Sequence, residues 1–361
     1  MRELRAENLR EAAAHFQLEG EPQAIDRNNQ GHINDTEIIT VSGCASKKRY
    51  VLQRINIDVF HRPEELMENV VGVTAFLRDR IREYGGDPAR ETLTVIPARD
   101  GRACYRDAEG NYWRAYDFIE NTLCYDKPEL PEQFGQSGEL FGRFQNLLRD
   151  YPAETLYDTI PDFHNTAVRY RDFLAAVEQD PVGRAADVGE EIRFLTERFH
   201  YAEELQNTSM RRRVCHNDTK LSNVLFDKDS KKALCVIDLD TIMPGYVIMD
   251  FGDAIRFGAS TAAEDEKDLD KVHFDKKLYD LFLAGFLKGC GDALTQEEIR
   301  MLPEGSKIIT YEQALRFLGD YLLGDVYYKT DHATHNLERA RTQIRLVGEM
   351  EQEFVHIFTI R

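Results

Sequence analysis

The spacing of apolar residues changes character once along this 361-residue chain, and that change limits the folds open to it. Up to residue 120 the apolar runs are short and β-rich. They read TEIITV at 36–41, RYVLQRI at 49–55, LTVIPA at 93–98 and NYWRAYDFI at 111–119. The first two are separated by a polar, glycine-containing turn, which is a strand–turn–strand signal. One helical segment interrupts them. PEELMENVVGVTAFLRDRIREYG at 63–85 carries apolar residues at helical spacing and ends in Gly-Gly. Beyond residue 120 the pattern is helical: PELPEQFGQSGELFGRFQNLLRDY at 128–151, stretches at about 163–180 and 187–206, and most of the C-terminal third. The expected fold class is α+β and bilobal. Residues 1–120 form a small antiparallel-sheet lobe with one inserted helix, and residues 121–361 form a larger, mainly helical lobe. A short hinge between lobes leaves a cleft, the usual place for a ligand.

The length suits one two-lobed unit or two domains. Hydrophobic residues at 42% and charged residues at 30% are an ordinary globular mix with ample core. A net charge of −18 repels nucleic acid and anionic membranes, so neither is expected as a partner. No apolar run is long enough to span a bilayer. The first residues, MRELRAENLREAAAHF, read as an amphipathic helix without a signal peptide's apolar core, and a cytoplasmic location is expected. Six cysteines show no C-x-x-C pairing and lie partly in apolar runs such as RRRVCHND and ALCVID. They read as reduced thiols serving as small core residues.

The strongest chemical signal is His216-Asn217-Asp218-Thr219-Lys220-Leu221-Ser222-Asn223. It fits H-x-D-x-x-x-x-N, the spacing of a kinase catalytic loop. In that chemistry the aspartate accepts the proton of an attacking hydroxyl, and the asparagine reaches a Mg²⁺ that screens phosphates. Lys220 is placed to neutralise charge on a transferring phosphoryl group. The bland reading is a polar surface loop. A metal partner is expected downstream at the end of a buried strand. ALCVID is such a strand and Asp238 closes it. Asp240 is an auxiliary carboxylate beside it. The triplet Asp250-Phe251-Gly252 spells the kinase D-F-G, but it lies beyond the turn at Pro244-Gly245. Asp250 and Asp253 are expected instead to cap or brace their own segment.

The blocks HNDTKLSNVL, VIDLDTIMPG and MDFGDAIRFGAS together resemble the aminoglycoside-phosphotransferase-like, choline-kinase-like small-molecule kinases. Within them they are most similar to the kinases that phosphorylate N-acetylhexosamines at C1. The similarity extends through GHIN at 31–34, WRAYDFIE at 113–120, STAAEDEKDLDKVHF at 260–274, RFLGDYLLGDVYY at 316–328 and HNLERARTQIRLV at 335–347. It implies a protein-kinase-like fold, with a nucleotide-binding N-terminal lobe and a C-terminal lobe carrying the catalytic loop, metal and acceptor site. It implies ATP with Mg²⁺, and transfer of the γ-phosphoryl group to the anomeric hydroxyl of GlcNAc or GalNAc. Asp218 falls on the family's base, Asn223 and Asp238 on its metal positions, and Arg316 and Tyr327 on its sugar contacts. Without the resemblance, Arg316 and Asp320 read only as an i,i+4 helix pair. A monomer or weak homo-oligomer is expected.

Two features depart from kinase patterns. The stretch aligned with V-A-I-K is Val51-Leu52-Gln53, so Gln53 stands where a lysine is usual. Glu68 is the candidate for the helix glutamate that would pair with such a lysine. There is no G-x-G-x-x-G. Gly31 and His32, in NNQGHIND, hold the position of a phosphate-covering loop. Tyr116, Phe118 and Ile119 lie in the hinge YDFIEN, where backbone groups near 118–120 would pair with an adenine edge. Other readings remain open: a kinase of choline or ethanolamine, a hydroxy amino acid or an aminoglycoside, or a non-enzymatic nucleotide-binding protein.

Overall fold

The computed structural model describes residues 6–28, 33–42, 47–206 and 208–358. Residue contacts gather the chain into two compact units. The first comprises Met1–Cys124, Asp150–Pro161 and Val224–Met243; the second comprises Tyr125–Arg149, Asp162–Asn223 and Pro244–Arg361. A single cut after residue 120 therefore does not describe the grouping, because two later stretches return to the first unit.

Helix α1 (Ala6–Ala14) opens the first unit and leads into strands β1 (Glu21–Asn28), β2 (Asp35–Ser42) and β3 (Lys48–Ile55). Helices α2 (Pro63–Glu83) and α3 (Pro88–Glu91) follow, then the short strands β4 (Val95–Ile96), β5 (Tyr105–Arg106), β6 (Tyr112–Asp117) and β7 (Thr122–Leu123). The main sheet is antiparallel, in the order β1-β2-β3-β6-β4, with β5 also on β6. Its buried face is covered by α1 and the residue just after it: Leu9, Ala12 and Ala13 of the helix, with Phe16, cluster with Ile39, Val41, Tyr50, Leu52, Trp113 and Ala115. Helix α2 starts with Pro63 at its first turn beside Glu64 and Glu65 and ends with Arg80 and Arg82, charges that suit the helix dipole. Its buried stripe runs Leu66, Val70, Val73, Leu77 and Ile81.

The second unit begins with α4 (Pro131–Leu147), α5 (Thr166–Gln179), α6 (Gly189–Glu197), α7 (His200–Glu203) and strand β8 (Arg213–Cys215). At Val224 the chain re-enters the first unit as the antiparallel pair β9 (Val224–Asp227) and β10 (Ala233–Val236). The partner of β9 on its other side is β7, fixed earlier in the chain, which accounts for the return. Strand β11 (Met243–Gly245) leads on to α8 (Val247–Gly258), α9 (Lys276–Cys290), α10 (Gln296–Leu322) and α11 (His335–Phe358). Helix α10 is buried on most of its circumference, the mark of a central helix. Thr295 and Glu298 close its N-terminus with a reciprocal capping box. Among the described residues no helix is long and apolar enough to cross a membrane. The described cysteines, 104, 124, 215, 235 and 290, are free thiols, and all but Cys124 are buried.

Helices α4 and α9 touch backbone to backbone. A Cβ on Gly285 would overlap the Gly135 carbonyl oxygen, and one on Gly289 would overlap that of Glu139. Across the same seam a Cβ on Gly142 would meet the Phe286 carbonyl. Backbone atoms cannot swing aside as a side-chain end can, so an added methyl must push the helices apart. Gly285→Ala is expected to lower stability by about 1–3 kcal/mol, the usual cost of overpacking. A urea midpoint equal to wild type would show that the seam is looser than described.

Candidate active site

The loop that follows β8 is held from behind by two carboxylates of α8. Asp250 accepts the N–H of His216 and the N–H of Asn217, each at 2.8 Å, and Gln145 Nε2 at 3.1 Å. Thr219 donates its hydroxyl to the Asp250 carbonyl at 2.5 Å and its N–H to Asp253 at 3.1 Å. Arg256 pairs with Asp253 at 3.2 Å. The D-F-G letters thus lie inside a helix. The expectation that Asp250 and Asp253 brace their own segment is corrected: they brace the loop that carries Asp218. His216 is fully buried and packs edge-on against Phe141 and Phe144, so it anchors the loop to α4. Asn217 has φ +61°, the left-handed region, and one to three kcal/mol of such strain persists only where surroundings over-determine it, as this pair of N–H bonds does.

The bracing presents Asp218, Lys220 and Asn223 together. Lys220 Nζ lies 2.8 Å from Asp218 Oδ2. Asn223 Nδ2 donates to the Asp218 carbonyl at 2.8 Å and to Oδ2 at 3.0 Å, which turns its amide oxygen away from the aspartate. Burial disfavours charge on Asp218, but Lys220, His216 and the Asn223 amide outweigh it and hold the carboxyl below its ordinary range.

A polar face of α10 belongs to the same unit. Fully buried Glu312 accepts from Thr166 Oγ1 at 2.7 Å and lies 2.8 Å from His164 Nδ1. His164 Nε2 is 3.3 Å from the Asn217 carbonyl, in the residue before Asp218. Both ring nitrogens face acceptors, and the doubly protonated ring suits that setting. Burial opposes the charge, yet Glu312 raises the His164 pKa above its usual value. One turn along, Arg316 is surrounded by the rings of Phe163, Tyr327 and Tyr328, with centroids 5.5–5.8 Å from its guanidinium carbon. Asp320 is not spent on Arg316. Its carboxylate accepts the successive N–H groups of Val326, Tyr327 and Tyr328 at 2.8–2.9 Å and Asn336 Nδ2 at 2.8 Å. That clamp displays Tyr327, which is 68% exposed.

In the first unit, Gln53 and Arg114 are cross-strand partners on β3 and β6. Arg114 Nε donates to Gln53 Oε1 at 2.9 Å, and Gln53 Nε2 donates to Thr36 Oγ1 at 2.9 Å. Arg114 and Asp240 form a buried ion pair. Asp240 is therefore neutralised, while Asp238, on left-handed backbone at φ +62°, is the more exposed of the two. Glu68 is exposed on α2 beside the Tyr157 hydroxyl, so the expected pairing role is corrected: α2 turns Met67 to Arg114 instead, with Sδ 3.9 Å from Nη1. Tyr116 and Ile119 are buried. Phe118 lies under the Arg49 guanidinium at 4.0 Å, and its N–H is taken by the Arg49 carbonyl at 3.2 Å. Gly31 and His32 lie outside the described residues.

Sequence reasoning missed His164, Glu312, Tyr328 and Arg114. The spacing Glu312, Arg316, Asp320 on one helix face was the available signal for α10; His164 carried none.

An antiparallel-sheet unit, a mainly helical unit and a braced His-x-Asp-x-Lys-x-x-Asn loop define a phosphotransferase of the kinase-like class. The sequence profile of the phosphotransferase enzyme family matches residues 25–280, and the chain belongs to that family. Its fold is similar to solved structures at low identity. A microcompartment-associated aminopropanol kinase has 16% identity and TM-score 0.60, covering 99% of each chain. A spectinomycin phosphotransferase, solved with ADP and spectinomycin, has 15% identity and TM-score 0.61, over 97% of this chain and 100% of that one. A choline kinase from Cryptosporidium parvum has 14% identity and TM-score 0.54, over 93% and 91%.

Lys220→Met is expected to move the Asp218 pKa upward, read by carboxyl carbon NMR against pH. The sign follows from the depressed native pKa: Asp218 contributes stability above its unfolded pKa, and this is lost as pH falls through the native value. The variant should lose that contribution, and an unmoved titration would remove Lys220 as its cause.

Proposed function

We propose that this chain is an ATP-dependent N-acetylhexosamine 1-kinase, acting on GlcNAc or GalNAc. Asp218 accepts the proton of the anomeric hydroxyl while O1 bonds to the γ-phosphorus. The bond from that phosphorus to the bridging oxygen breaks, and ADP leaves. Asp218 is suited to this by its charged form at neutral pH and its fixed loop. Lys220, ion-paired with Asp218, also lies where it can offset charge on the transferring group. Mg²⁺, when bound, would screen the phosphates, and Asn223 and Asp238 are the residues assigned to hold it. Both offer hard oxygen donors of the kind Mg²⁺ takes. The nucleotide is assigned to Gln53, Tyr116, Phe118 and Ile119. Because the Phe118 N–H is taken, the adenine edge falls to backbone at Ile119–Glu120.

The observation that favours a sugar over the other acceptors is the charge of the α10 face. A cationic acceptor is ordinarily received by aromatic rings with carboxylates nearby. Here the rings of Phe163, Tyr327 and Tyr328 already surround the cation of Arg316, and Glu312 is spent on His164 and Thr166. A second cation would meet the Arg316 guanidinium. A neutral acceptor rich in hydroxyl and carbonyl oxygens, such as an acetylated hexosamine, instead finds donors.

Acceptors are screened with phosphorus NMR of the product. An anomeric phosphate from GlcNAc or GalNAc, with choline, ethanolamine and aminoglycosides unmodified, is expected; turnover of a cationic acceptor alone would sink the proposal. Asp218→Asn should cut turnover by roughly 10²–10⁴-fold with the fold intact. Arg316→Ala should raise the KM for sugar by on the order of tenfold or more, the scale of a charged hydrogen bond, and leave the KM for ATP unchanged. Asp238→Asn should raise the Mg²⁺ requirement, whereas Asp250→Asn should slow turnover at an unchanged Mg²⁺ requirement.

A further inference from the structure

The kinase lysine is absent from β3, yet the sheet is not without a cation there. The side chains of Gln53 and Arg114 point to the same face, because they are directly opposed across the β3–β6 ladder. A lysine at position 53 would place its ammonium against the Arg114 guanidinium. The charge has moved one strand over, and the glutamine amide now supports it by accepting from Nε.

Arg114 is 1% exposed and its partner Asp240 4% exposed. A guanidinium so buried is tolerated only if paired and hydrogen-bonded. Asp240 is held from a second side by Asn34 Nδ2 at 2.6 Å. The turn Leu239–Thr241 that contains it is also tied to α2 through Asn69 Nδ2, which donates to the Ile242 carbonyl at 3.1 Å. Directly before this turn stands Asp238, on left-handed backbone that a non-glycine residue keeps only when its neighbours enforce it.

We propose that Arg114 is a positioning residue that replaces the β3 lysine. Acting through Asp240, it sets the turn that aims Asp238 at the metal of a metal–nucleotide complex. The proposal rests on the metal assignment above but not on the identity of the acceptor. It makes the cation's strand interchangeable and the cation itself indispensable.

The test is MgADP binding to the full chain by calorimetry over a series of Mg²⁺ concentrations, with thermal melting alongside. Arg114→Met is expected to raise both the MgADP Kd and the half-saturating Mg²⁺ at least tenfold. Gln53→Lys alone should bind no more tightly than wild type and melt lower, having two cations in contact. The double variant Gln53→Lys/Arg114→Gln should recover at least threefold of the binding lost in Arg114→Met. Lower melting with an unchanged Mg²⁺ dependence would make Arg114 merely structural and overturn the proposal, as would failure of wild type to bind MgADP. If Arg114→Met does not fold, Arg114→Lys, which keeps charge but not the fork, should raise half-saturating Mg²⁺ at least threefold; an unchanged value overturns it. Wild type that binds MgADP but leaves N-acetylhexosamines unmodified would sink the acceptor assignment alone.

Discussion

The carboxylate of Asp250 receives two successive backbone N–H groups, those of His216 and Asn217, and the rest of the reactive loop depends on that grip. A short loop with a left-handed residue does not hold one conformation by itself. Here it is fixed at both sides of Asp218, by Asp250 before it and by Asp253 and Thr219 after it. The helix that supplies the two carboxylates is almost wholly buried, so the grip is as rigid as the core. Removing either carboxylate would leave buried donors unmet, at about 1–3 kcal/mol each.

The same principle governs three charged groups elsewhere, where the partner decides what a buried carboxylate can do. Glu312 holds His164 in place and favours its charged form. Asp320 gathers three N–H groups so that Tyr327 stands out. Arg114 neutralises Asp240, which leaves Asp238 as the more exposed carboxylate of its turn. In each case a carboxylate that looks available in the sequence is committed to holding a neighbour.

Much of the fold was legible. The strand runs around residues 36–55 and 93–119 and the helix at 63–83 appear where alternation and helical spacing put them, because local hydrophobic period decides which element buries its apolar atoms. Strand β1 was not anticipated, since EPQAIDRN has few apolar residues and gains strand form from its ladder to β2. The loop residues Asp218, Lys220 and Asn223 were readable because they are local, and the structure brings them together. His164, Glu312 and Arg114 were not, because their meaning comes from partners far along the chain.

The α+β class and the His216–Asn223 loop were legible in the sequence alone, since each rests on spacing within a few residues. The donors that reach Asp250, the pairing of Arg114 with Asp240 and the return of β9 and β10 to the first unit come from the tertiary structure. Those are matters of long-range pairing. A carboxylate's role is set by which donors reach it, and hydrogen bonds between residues 34 positions apart, as from the His216 N–H to Asp250, leave no trace in local pattern.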